Sequence, residues 1–388
     1  MAIHSELKFR RDLIRKAMAD NNIDAALITC NTNLLYTCGQ IISGFIYIPI
    51  NSPAILFIKR PNTIRGEQVE YIHKPEEIVD LLEARNIPVP TRLMLEGDEI
   101  PYTEYQRLSS LWPDADVVNG TPYIRQARTI KTDLELNLFR RAGQSHVKAY
   151  SHIPDCYKEG MTDLEFSIEI ERIMRQEGSL GIFRIFGRSM EIFMGSVLAG
   201  DNATEPSPYD FALGGAGINA SLPVGLSNKH LVPGTSVMVD MGGNFNGYMS
   251  DMTRVYSIGD LPQKAYDAHQ VCLDISHELS ETAKAGTVCS SMYEKALHIV
   301  SKAGFADCFM GTRQQAKFIG HGLGLEINES PVISAKSNIE LAPNMVFALE
   351  PKIVLPGVGP VGIENTWIVT DEGLECTTRA PEGIIKLQ

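Results

Sequence analysis

Ser236-Val-Met-Val-Asp-Met-Gly-Gly-Asn-Phe-Asn-Gly-Tyr-Met-Ser-Asp-Met-Thr-Arg254 is the stretch that decides how this chain folds and where its chemistry lies. Two strand-like apolar runs flank Asn246-Gly247, a dipeptide suited to the positive φ of a tight hairpin turn. With the turn there, Asp240 opposes Thr253 and Gly242 opposes Asp251. Side chains alternate between the two faces of a strand, so Asp240 and Gly242 share a face. Asp240 and Asp251 then become diagonal neighbours on it. Two carboxylates on one apolar face repel each other and lose hydration, and a proton or a cation is needed to neutralise them.

The C-terminal part repeats the device. Met345 to Val354 and Gly362 to Thr370 are two apolar runs joined by the Pro/Gly-rich stretch Pro356 to Pro360. Glu350 and Glu364 lie symmetrically about Gly357, each among apolar residues where an unpaired glutamate does not belong. A further donor stands in Ile319-Gly-His-Gly-Leu-Gly-Leu325. Glycines on either side of His321 let backbone approach a ligand and leave the imidazole clear. Singly, a strand aspartate or a glycine-flanked histidine is more often structural than functional. Together, Asp240, Asp251, His321, Glu350 and Glu364 suit divalent Mn, Co, Fe or Zn rather than a thiolate-preferring metal. Shared carboxylates would hold two such ions ~3.5–4 Å apart and turn a bridging water into a hydroxide nucleophile.

Outward from these motifs, the 388 residues leave room for two or three domains, and the apolar share of 44% is that of an ordinary globular protein. A net charge of -12 argues against a nucleic-acid partner, which needs a concentrated basic surface. Seven cysteines, an odd number with no CxxC pair, argue against a disulfide framework and point to a reducing, cytoplasmic setting. Basic residues interrupt the first 16 positions, so no secretory signal is expected there. No apolar stretch approaches the ~18 residues of a membrane span.

The first ~130 residues read as α/β. Leu7, Leu13, Ile14 and Met18 recur at helical spacing until Asn21 and Asn22, and Asp24 to Cys30 follows as a buried strand. Strands are expected over 44–50 and 54–58, and helices near 76–85 and 102–111. Beyond a boundary near residue 130, helices are expected over 133–150, 163–177, 263–285 and 289–303. Leu134, Leu136, Leu138, Phe139 and Ala142 supply the apolar positions of the first of these, and Ile168, Ile170 and Ile173 those of the second. The division is therefore 1–130 and 131–388.

The order and spacing of these motifs resemble the creatinase/prolidase/methionine aminopeptidase superfamily (peptidase family M24), in its Xaa-Pro dipeptidase and aminopeptidase branch. Residues from Arg11, through Thr32-Asn-Leu-Leu-Tyr-Thr-Cys-Gly39, look like its creatinase-type N-terminal domain, and 131–388 like its pita-bread catalytic domain. The resemblance implies a dinuclear metallohydrolase, with manganese favoured, that cleaves a peptide or amide bond. It places Asp240 on one ion, His321 and Glu350 on the other, and Asp251 and Glu364 between them. Glu350 and His321 then sit at the reacting centre, with Glu350 as proton shuttle. A homodimer acting on a small peptide or amide is implied as well.

The chain departs from that pattern twice. Where the peptidases carry a histidine in a Pro-His segment, Ala220-Ser-Leu-Pro-Val-Gly225 places Val224. Where they carry a His-Glu pair after the GHG motif, Glu326-Ile-Asn-Glu-Ser-Pro331 places Asn328. Valine donates no hydrogen bond, and asparagine cannot titrate near neutral pH. The alternative is thus a metal-binding relative acting on a non-peptide small molecule, or a non-catalytic one. His230 reads as a surface loop residue. Gly215-Ala-Gly-Ile-Asn-Ala220 mimics a dinucleotide fingerprint, but Pro223 and Gly225 forbid the helix that motif requires.

Overall fold

The computed structural model describes residues 3–187 and 193–388. Its backbone separates into two compact units that part between Arg128 and Thr129.

In the first unit, the helix Ile3–Asp20 buries Ile14 and Met18 and stops where Asn22 takes a left-handed φ of 55°. The predicted buried strand is Ala25–Ile28, inside a six-stranded mixed sheet. Ala25 pairs with Pro49 on one side and Leu93 on the other, so burial on both faces follows from central placement. Thr32 to Cys38 falls within a helix, Asn31–Cys38, capped by Gly39 at φ 76°. Its N-terminus rests on the buried carboxylate of Glu96, which accepts from the backbone N–H of Thr29 (2.6 Å) and Cys30 (2.9 Å) and from Asn33 Nδ2 (2.7 Å).

In the second unit, the helices Asp133–Ser151 and Asp163–Gln176 begin at capping boxes, Thr132 with Glu135 and Thr162 with Glu165. Leu136, Phe139 and Ala142 are buried as expected, and so are Ile170 and Ile173. Ile168 is 51% exposed, because two residues before Ile170 on a helix is a turn of about 200° away from the buried face. The helices Gln263–Thr282 and Cys289–Lys302 pack over a five-stranded antiparallel sheet and a two-stranded one. A four-stranded sheet carries the central hairpin.

His146, on the helix Asp133–Ser151, is fully buried beneath that hairpin, its Nδ1 3.1 Å from Ser250 Oγ. Burial, and secondarily Arg254, lowers its pKa to about 3. The unfolded chain takes up this proton near pH ~6.5, the folded one only near pH 3, so stability falls as pH drops through that window. The slope contributed is at most about 1.4 kcal/mol per pH unit. His146→Gln is expected to flatten the pH dependence of denaturant unfolding of this unit between pH ~6.5 and ~4.5. Identical slopes in the variant and the parent would show that His146 is already charged in the folded state.

Candidate metal centre

The hairpin forms in the register the sequence specifies. Thr235–Asn244 pairs with Met249–Ile258, Asp240 opposite Thr253 and Gly242 opposite Asp251. One carboxylate therefore comes from each strand to one face. Thr253 joins this hairpin to the C-terminal carboxylates: its Oγ1 donates to Glu364 Oε2 at 2.6 Å, and the two backbones form a bridge.

Glu350 and Glu364 lie on one ribbon that divides between two sheets. Val346–Leu349 pairs with Asn365–Val369, with Leu349 opposite Asn365 in the five-stranded sheet. Lys352–Leu355 pairs with Gly359–Gly362, with Lys352 opposite Gly362 in the two-stranded one. Both pairings keep one register about Gly357, so Glu350 and Glu364 are nominal cross-strand partners at the fork. Pro351 has no N–H to give a continuous ladder there.

His321 sits on Phe318–Gly322, between Glu329–Ser334 and Val346–Leu349. The flanking glycines have a different reason from the one expected. A Cβ on Gly320 would lie 2.3 Å from the Ala348 carbonyl oxygen, and one on Gly322 2.1 Å from that of Ser330. A Cβ on Gly324 would fall 2.0 Å from the carboxyl of Glu329. The neighbouring strands, not a ligand, demand them. Glu329 is itself buried in an ion pair with Lys131 Nζ at 3.1 Å.

All five predicted residues converge. They form two overlapping groups, Asp251 with His321 and Glu364, and Asp240 with Glu350 and Glu364, each presenting donor atoms within 4.8 Å of one another. Glu364 is common to both. His321 Nε2 lies 3.7 Å from Asp251 Oδ2 and 3.4 Å from Glu350 Oε1. Glu364 Oε1 is buried and has no hydrogen-bond partner among the described residues.

One participant was not foreseen. Lys352, 0% exposed, places Nζ 2.6 Å from Glu350 Oε2, 2.8 Å from Asp240 Oδ2 and 3.4 Å from Glu364 Oε2. The signal was present: a lysine in a run of buried apolar residues is as anomalous as Glu350, and two positions on it shares Glu350's face.

The charges are strongly interdependent. Burial pushes Asp251 well above the ordinary carboxylate range, and repulsion from Glu364, Asp240 and Glu350 adds to it. Burial likewise raises Glu350, and lifts Glu364 to about 8 against the pull of Lys352. Burial would raise Asp240 too, but the Lys352 ammonium brings it below the usual value. Burial lowers His321, keeping a neutral imidazole available as a donor.

These groups open into a cavity of about 400 Å³ walled by apolar side chains, among them Phe183, Phe211, Leu213, Phe318 and Ile327. Val224 and Asn328 both line it. Val224 adds a further apolar surface. Asn328 accepts from Phe186 N at 2.8 Å and donates to Phe186 O at 2.7 Å, so its amide grips the backbone of the adjoining segment. His230 is exposed and bonds through Nδ1 to Gly160 O, away from the cavity lining. No helix follows Gly215 to Ala220.

Residues 137–371 match the model of metallopeptidase family M24, and residues 10–130 that of the creatinase/prolidase N-terminal domain. The chain belongs to metallopeptidase family M24. This M24 chain is 26% identical to the uncharacterized peptidase YqhT of Bacillus subtilis, over 96% of its own length and 99% of the relative's. It is 25% identical to the Xaa-Pro dipeptidase of Pyrococcus horikoshii, over 95% and 96% of the two chains. Its structure resembles the crystal structure of the prolidase from P. horikoshii, with a TM-score of 0.76 at 25% identity over 96% of this chain and 98% of that one. The fold is also that of an Xaa-Pro dipeptidase from Bacillus anthracis, with a TM-score of 0.80 at 24% identity over 98% and 100%. The M24 chain thus has a creatinase-like N-terminal domain and a catalytic domain of the pita-bread type, in keeping with the α/β expectation.

The oxygen and imidazole donors and the unpartnered Glu364 oxygen fit a divalent ion in the group of Asp251, His321 and Glu364. The group of Asp240, Glu350 and Glu364 already contains the Lys352 ammonium.

Proposed function

We propose that this chain is a metal-dependent hydrolase of a peptide or amide C–N bond, of Xaa-Pro dipeptidase or aminopeptidase type. The observation that carries this is the meeting of five donors, Asp240, Asp251, His321, Glu350 and Glu364, in the lining of one largely apolar cavity. A divalent ion held at this centre, manganese in the first instance, would act as a Lewis acid toward water or the scissile carbonyl. Glu350 lies at the cavity floor, its carboxyl raised by burial, where it can take a proton from the attacking water and return it to the leaving nitrogen. The apolar walls exclude water and suit a small, uncharged side chain such as a proline ring, and the cavity is the size of small-ligand sites in general. A homodimer and a cytosolic setting go with this assignment.

A second proposal has its own support. With Val224 apolar and the Asn328 amide engaged by Phe186, neither position offers the titratable donor expected of an Xaa-Pro peptidase. Action on a non-peptide small molecule, or binding without turnover, is the alternative. Xaa-Pro dipeptides and tripeptides assayed with Mn(II) or Co(II) separate the two. Turnover of roughly 1–10³ s⁻¹, abolished by a chelator, is expected for the peptidase. No turnover by metal-loaded protein would transfer the assignment to the alternative.

A further inference from the structure

We infer that this chain binds one divalent ion rather than two, because the Lys352 ammonium takes the second position. The inference rests on the metal-binding assignment of the same residues.

Three contacts define the place. Lys352 Nζ touches Glu350 Oε2, Asp240 Oδ2 and Glu364 Oε2, which are the three residues of one of the two donor groups. An ion bound by those carboxylates would share their oxygens with a second positive charge at contact distance. The lysine has nowhere better to go. Its side chain is 0% exposed, and its stem passes Gly362, where a Cβ would already stand 3.2 Å from Lys352 Cγ. Withdrawing Nζ from the carboxylates would strand an unpaired ammonium in an apolar interior. Among the described residues, the other group, Asp251, His321 and Glu364, has no such occupant and retains Glu364 Oε1 without a partner.

The assignment divides labour among the five donors. Asp251, His321 and Glu364 hold the ion. Lys352 neutralises and orients Asp240 and Glu350, leaving a Glu350 oxygen free of the metal and facing the cavity.

Metal per chain decides the matter. Full-length protein is equilibrated with excess Mn(II), freed of unbound metal by gel filtration, and analysed for manganese. Electron paramagnetic resonance then distinguishes isolated from exchange-coupled ions. The parent is expected to carry a single equivalent with the spectrum of an isolated ion, and Lys352→Ala is expected to gain a second equivalent with a coupled spectrum. Two equivalents in the parent would overturn the inference while leaving the metal assignment intact. A single equivalent in a folded Lys352→Ala variant would also overturn it, since the lysine would not be what excludes the second ion. No bound metal in either would overturn the underlying assignment. Should Lys352→Ala fail to fold, the parent's stoichiometry alone still decides.

Discussion

Asp251→Asn is expected to lose divalent metal while gaining stability in the metal-free state. Asp251 stands with His321 and Glu364 in the group best fitted to an ion, and its Oδ1 is fixed by the Met252 N–H at 3.1 Å. Asparagine keeps the shape and removes the charge. Residues that merely orient metal ligands cost 10–100-fold in affinity when lost, and a ligand should cost at least that. The same charge is a burden without metal, because burial, and then repulsion from three other carboxylates, pushes the Asp251 pKa well above the ordinary range. A raised carboxyl pKa destabilises the fold at neutral pH, and removing the group relieves that repulsion. Melting curves of parent and variant, each with chelator and with Mn(II), check both halves. Chelated Asp251→Asn should melt above the chelated parent. Mn(II) at about 100 times its dissociation constant should stabilise the parent by ~2.7 kcal/mol, and the variant hardly at all. Full manganese occupancy in the variant would remove Asp251 from the ligand set.

Glu350→Gln is expected to lower kcat by about 10²–10⁴, the usual contribution of a positioned proton carrier. Glutamine can still accept the hydrogen bond from Lys352 but cannot carry a proton. The loss should therefore appear in kcat, with KM and bound manganese little changed. An equal fall in manganese content would instead make Glu350 chiefly a ligand. An unchanged kcat would move proton transfer to another group.

Much of the site is legible in the sequence, and for a definite reason. The hairpin 236–254 is local: a turn dipeptide and a two-residue side-chain period fix its register, and with it the relation of Asp240 to Asp251. The symmetry of Glu350 and Glu364 about Gly357 is local in the same sense. What escaped is what only packing decides. The helix Asn31–Cys38 starts on Glu96, more than sixty residues away, so its own sequence gives little notice of it. Ile168, by contrast, lies two residues off the stripe of Ile170 and Ile173 and faces solvent, a mismatch that the helical period itself explains. The crowding of Gly320 and Gly322 comes from strands distant in the chain. Lys352 stands out in its apolar run, but its role escapes the sequence because its partners Asp240 and Glu364 are supplied by other segments.

The forked ribbon has a consequence for how this centre can vary. Both pairings count outward from a single tip at Gly357, so the distance between Glu350 and Glu364 is kept by the ribbon's parity. Lengthening or trimming each arm equally would move the tip and leave the two glutamates opposite one another. Adding or removing one residue on a single arm would turn one of them to the reverse side, away from its counterpart. The two carboxylates are tied together by arithmetic along the backbone as well as by the cation they face.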